Sequence, residues 1–221
     1  MSKKPKFDVD DAYAIQTPAD SVSLYSEWAN TYDMDFVAGQ SYVYHQRVAA
    51  IMMRQKSSIN GAVLDIGCGT GSVGVCLRAG GIEVIDGIDI SPPMLVEAGK
   101  KKTGDNLPVY RSLIAADLTK SLDMPDSQYA GLISAGTFTH GHLGPDSLDE
   151  LWRVAAPGAL CMIGINSKHF ESLGFGEKLS ADVINGTITK PEIAEVDIYS
   201  AQTPNLKHSS DKAFIVVCQV A

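Results

Sequence analysis

The run Val63-Leu64-Asp65-Ile66-Gly67-Cys68-Gly69-Thr70-Gly71 decides how this chain is read. Residues with strand character lead straight into glycines at alternate positions, and a helical pattern follows. Glycine accepts positive φ and lets a ligand approach where a Cβ would collide. The helix N-terminus behind such a turn presents unpaired N–H groups, which suit a carboxylate or phosphate. A dinucleotide fingerprint, G-x-G-x-x-G, wants its third glycine where Ser72 stands, one residue after Gly71. That spacing makes a nicotinamide dehydrogenase improbable. A P-loop is excluded, because no G-K-[S/T] follows.

Outward from this turn, β-branched runs alternate with helical patterns, the signature of βαβ units and a parallel sheet. Strands are expected over residues 62–66, 83–90, 110–116, 129–135, 159–165, 193–199 and 213–220. Helices are expected over 72–79, 145–154 and around 170–184, with Pro157-Gly158 as a turn before the fifth strand. Ser91 reads as an N-cap with Pro92 in the first helical turn, where its missing N–H costs nothing. Ahead of the sheet, 21–32 and 41–55 read as two helices. On the first of these, Tyr25, Trp28 and Tyr32 share one face at three- and four-residue spacing. The stripe serves equally as a staple to the core and as a lid. Seven strands are counted, but periodicity does not reveal their order.

The whole chain sets outer bounds. Its 221 residues fit one α/β domain, 1–221, with a helical lid over 1–58 and a binding core over 59–221. A net charge of −8 works against nucleic-acid binding, which draws on a basic footprint. The cluster Lys100-Lys101-Lys102 reads as a solvated helix end. Cys68, Cys76, Cys161 and Cys218 form no C-x-x-C pair and read as reduced thiols, in keeping with the cytoplasm. No stretch reaches the roughly 18 apolar residues of a membrane span.

D-x-G-x-G-x-G after a strand resembles motif I of the class I S-adenosylmethionine (SAM)-dependent methyltransferases. Asp89, closing Gly87-Ile88-Asp89, matches the acidic residue that those enzymes place on the ribose hydroxyls. A carboxylate accepts from two adjacent hydroxyls at once. The resemblance further implies Ile90 against the adenine and Asp117, with Leu118, at its amino group. Gly67, Gly69 and Gly71 would hold the amino-acid end of SAM, with Asp65 and Ser134 beside it. The segment Tyr25-Ser26-Glu27-Trp28-Ala29-Asn30-Thr31-Tyr32-Asp33 is similar to the Y-x-x-W-A-x-x-Y-D entry segment of many small-molecule methyltransferases. The Williams–Beuren-region methyltransferase-like group is among these, and the likeness puts Tyr25 and Trp28 near the cofactor. The implied fold is a seven-stranded Rossmann-like sheet with helices on both faces.

Methyl transfer is an in-line displacement, so the protein chiefly positions a nucleophile. The loop after the fourth strand, 134–144, lacks the N-P-P-Y motif, the Pro-Cys nucleophile and the acidic magnesium ligands of other methyltransferases. The reading is therefore a metal-independent enzyme acting on an O, N or S atom of a small molecule, as monomer or homodimer. His140 and His142 are the candidate bases, since imidazole titrates near neutrality, and Tyr32 is a weaker one. An RNA or protein acceptor, and a non-catalytic SAM-binding protein, are the alternatives.

Overall fold

The computed structural model describes Phe7 and residues 9–139 and 143–221. Two short helices come first, α1 (Val9–Tyr13) and α2 (Pro18–Trp28), then a π-helical segment, Asp33–Ala38. Helix α3 (Tyr44–Arg54) leads into β1 (Val63–Ile66), α4 (Ser72–Ala79), β2 (Ile85–Asp89), α5 (Pro92–Lys100) and β3 (Ser112–Ala115). Then follow β4 (Tyr129–Phe138), α6 (Leu148–Val154), β5 (Ala155–Asn166), α7 (Ser167–Ser172), α8 (Phe175–Ile184), β6 (Glu192–Asp197) and β7 (Lys212–Gln219).

The seven strands form one sheet in the order β3-β2-β1-β4-β5-β7-β6. Strands β1 to β5 pair in parallel, and β7 runs antiparallel to both β5 and β6. Chain order reverses between β1 and β4, and such a switch point opens a crevice at the carboxyl ends of the strands.

Alternate strand residues face opposite layers, so the sheet carries two cores. Val63, Ile85, Ile133 and Met162 pack with α3, α4 and α5. Leu64, Ile66, Ile88 and Ile163 pack with α6 and α8. Helix α3 buries Val48 and Met52 completely in the first core. It is a layer of the fold rather than part of a lid, which corrects the expected boundary at residue 58. The chain ahead of Tyr44 covers the crevice, and Tyr44 and Tyr199 add to its wall.

Local chemistry explains where elements depart from expectation. Helix α2 starts three residues early because Thr17 and Asp20 form a reciprocal capping box. Pro157 and Gly158 lie inside β5, where the register slips against β4 and Gly158 takes φ +79°. A proline without an N–H and a left-handed glycine make a bulge there instead of a turn. Gly174, at φ +75°, divides the expected helix over 170–184 into α7 and α8. Among the described residues no helix is long and apolar enough to cross a membrane.

Candidate active site

The three glycines after β1 all have positive φ, but their surroundings differ. A Cβ on Gly67 would collide with the Thr137 side chain, whose hydroxyl donates to the Ile66 carbonyl at 3.0 Å. One on Gly71 would come within 2.9 Å of the Tyr110 ring. Gly69, at φ +52°, faces open space. Two glycines are thus demanded by close packing from other loops, and the third leaves bare backbone at the cleft.

Asp89, at the end of β2, joins this turn to the next helix. One carboxylate oxygen accepts from the Gly69 N–H at 2.8 Å, and the other accepts from the Ser91 N–H at 2.9 Å. Burial raises its pKa, and these backbone donors oppose the rise. Ser91 caps α5 by position, yet its side chain makes no capping bond. Asp117, after β3, accepts from the Thr119 N–H at 3.0 Å and from Lys120 at 3.0 Å. Burial pushes its carboxyl up, and the bonds from Thr119 and Lys120 outweigh that push. Both carboxylates line the cleft together with Gly67, Gly69, Ile90 and Leu118.

Asp65 sits elsewhere. It is fully buried beneath the glycine turn, and the Tyr110 hydroxyl donates to it at 2.6 Å. Burial raises its pKa to about 7, against the pull of that hydroxyl. Ser134 is also buried, tying β4 to β1 by donating to the Ile66 carbonyl at 3.0 Å. Neither Asp65, Ser134, Gly71 nor Trp28 lines the cleft, so their expected contact with a ligand becomes a supporting role. The strand carrying Asp65 is buried on both faces, so alternation does not reveal which side chains point at the crevice.

The chain before α3 closes the cleft. Tyr25 and Tyr32 line it, while Trp28 is 1% exposed and packs between them, its ring centroid 6.4 Å from one and 5.1 Å from the other. Asp33 ties this cover to the cradle: it accepts from the Thr70 hydroxyl and pairs with Lys101. Lys101 is therefore engaged, not merely solvated. Tyr13, Tyr42, Tyr44 and Tyr199 complete the wall, so six of the eight tyrosines in the chain line one cavity. The hydroxyls of Ser21 and Tyr44 are buried in that lining without a hydrogen-bond partner. Apart from Tyr25 and Tyr32, these residues escape motif reading, because they lie on segments far apart in the sequence.

Tyr32 lines the cleft, but burial raises its pKa well above the ordinary phenol value. It stays protonated at neutral pH, which weighs against the expected role of base. His140 and His142 lie outside the described residues, but Thr139 and Leu143 on either side of them line the cleft. Among the described residues no group of three His, Cys, Asp or Glu side chains is placed to hold a metal.

Open backbone at Gly69, an acceptor at Asp89 and flanking apolar residues Ile90 and Leu118 fit a nucleoside bearing a charged amino-acid end. Residues 63–158 match the methyltransferase domain family. The chain carries a methyltransferase domain and uses SAM as its cofactor, as do the class I SAM-dependent methyltransferases it resembles. Its relatives include human methyltransferase-like protein 27, 28% identical over 175 residues, which span 77% of this chain and 67% of that one. Among solved structures, a TehB-like SAM-dependent methyltransferase from Corynebacterium glutamicum aligns with a TM-score of 0.55. It is 21% identical, over 92% of this chain and 100% of that chain. Geranyl diphosphate C-methyltransferase from Streptomyces coelicolor, solved with S-adenosyl-L-homocysteine, aligns at 0.58 and 11% identity, over 80% and 76% of the two chains.

Proposed function

We propose that the enzyme methylates an O, N or S atom of a small molecule enclosed between the glycine turn and the tyrosine-rich cover. The carrying observation is the closure of the cleft: Asp33 fastens the cover to Thr70, so the acceptor enters an enclosed cavity and not an open surface. A long RNA or folded protein does not fit such a site without displacing the cover. One continuous cleft runs from Gly69, Asp89 and Ile90 to Tyr42, Tyr44 and Tyr199, which supports its serving cofactor and acceptor together.

SAM supplies a methyl group already activated by its sulfonium charge. In this reading Gly69 and Gly67 bear on its amino-acid end, Asp89 on its ribose, and Ile90, Leu118 and Asp117 on its adenine. Tyr25 and Tyr32 exclude water. For a hydroxyl or thiol acceptor, His140 or His142 takes the proton. We place the chain as one catalytic domain in the cytoplasm, consistent with four free thiols.

Incubation with methyl-labelled SAM and an undialysed cell extract tests the proposal. Label should appear in a compound of low molecular mass. Label confined to RNA or protein would reject the small-molecule reading and leave the methyltransferase assignment standing.

A further inference from the structure

The acceptor half of the cleft has a definite electrostatic character. Tyr32 and Phe36 lie with ring centroids 5.0 Å apart, Phe36 and Tyr42 4.9 Å apart, and Tyr42 and Tyr199 6.0 Å apart. Phe36 and Tyr199 close the group at 6.4 Å. All four rings line the cavity. Its only charged lining groups among the described residues are the carboxylates of Asp89 and Asp117, with no lysine or arginine. His45 stacks behind Tyr42 at 5.6 Å, and burial lowers its pKa, so it adds no positive charge at neutral pH. Lys101 and Lys168, on the periphery, are paired with Asp33 and Asp211.

We infer that the acceptor is an uncharged amine, and that Tyr32, Phe36, Tyr42 and Tyr199 form a box for the ammonium that methylation makes of it. The inference rests on the small-molecule methyltransferase reading and names its substrate class. Transfer to a neutral amine breaks the methyl–sulfur bond and forms a methyl–nitrogen bond with the nitrogen lone pair. The positive charge passes from sulfur to nitrogen, and S-adenosylhomocysteine leaves uncharged at its sulfur. A tertiary amine yields a quaternary ammonium with no proton to remove. Primary and secondary amines release theirs to water afterwards. Positive charge thus stays within the enclosure through the transfer, until any proton leaves, and aromatic rings attract a cation there. The unpartnered Tyr44 hydroxyl, its ring 6.2 Å from that of Tyr42, offers an oxygen to an acceptor N–H. Among the described residues an anionic acceptor would find no lysine or arginine in the lining.

The test is binding to protein saturated with S-adenosylhomocysteine, read by calorimetry. Three benzyl probes differ in charge: benzyltrimethylammonium, its carbon isostere neopentylbenzene, and phenylacetate. The ammonium should bind about tenfold tighter than the isostere, the scale of one to two cation–π contacts, and phenylacetate should not bind. Equal affinities, a reversed order or no binding by any probe overturns the inference. Should S-adenosylhomocysteine itself fail to bind, the underlying methyltransferase reading falls instead. Tyr42→Phe should keep the preference for charge, and Tyr42→Leu should lose it while S-adenosylhomocysteine still binds. Phe36→Leu provides a second such variant. The probe ranking on the unaltered protein decides the matter even if neither variant folds.

Discussion

Asp33, the last residue of the entry segment, accepts a hydrogen bond from the Thr70 hydroxyl in the middle of the glycine turn. One carboxylate therefore couples the cover to the cradle, and its second oxygen pairs with Lys101 just beyond α5. Asp33→Ala should weaken SAM binding by roughly tenfold, since hydrogen bonds to charged groups contribute about 1.5–3 kcal/mol and this one is partly exposed. Hydrogen exchange should rise across residues 18–38 in the same variant. Unchanged exchange there would show that the cover is held by its aromatic packing alone.

The three glycines should fail in different ways when changed to alanine. Gly67→Ala drives a methyl group into Thr137 and should cost stability, lowering Tm by several degrees. Gly69→Ala meets no neighbour and bears only the strain of φ +52°, about 1–2 kcal/mol. That variant should remain folded yet bind SAM at least tenfold more weakly, because its methyl group projects where the ligand lies. Thermal melts and calorimetry on the two proteins separate these outcomes.

Asp89→Ala should abolish measurable SAM binding. It removes the proposed ribose acceptor and also strands the Gly69 and Ser91 N–H groups, which now donate to it. Asp89→Asn keeps one acceptor oxygen and should retain weak binding. Full calorimetric heat from the alanine variant would contradict the role given to this residue.

Stability should depend on pH through Asp65. Its folded pKa, near 7, stands above the ordinary carboxyl value of 3.8, so the folded state holds the proton more tightly than the unfolded one. Its contribution is complete below pH 3.8 and disappears as pH rises to about 7. Asp65→Asn should flatten that part of the Tm-versus-pH curve. Tyr110→Phe, by removing the one hydroxyl donor, should steepen it. Asp89 titrates in the same direction, so the difference between variant and parent is the quantity to read.

Much of this architecture is legible in local chemistry. The strands β1, β2, β4 and β7 announce themselves as apolar β-branched runs, and the turn after β1 by its glycine spacing. Asp89 is legible for the same reason, because its position follows from where β2 ends. What periodicity does not carry is which strands become neighbours, so the β7-β6 pair at the sheet edge emerges only in three dimensions. Tyr110 reads as the start of a strand, but β3 begins at Ser112. Its ring is instead claimed by the space under Gly71 and Gly74. The acceptor wall is the least legible part. Tyr42 and Tyr199 meet through an isolated bridge between distant segments, and no local pattern signals that meeting.

Helix α3 is cemented between α4 and the sheet, while the chain ahead of it touches the cavity from outside that layer. On the proposed function the enzyme is thereby modular along its length: the residues assigned to the cofactor and those assigned to the acceptor belong largely to separate stretches of chain. Divergence toward new substrates can proceed by rewriting residues 9–43 and the stretch around Tyr199, with the glycine turn and its carboxylates inherited intact. Grafting that leading stretch from one relative to another, with Asp33 retained, should move acceptor preference and leave SAM affinity where it was.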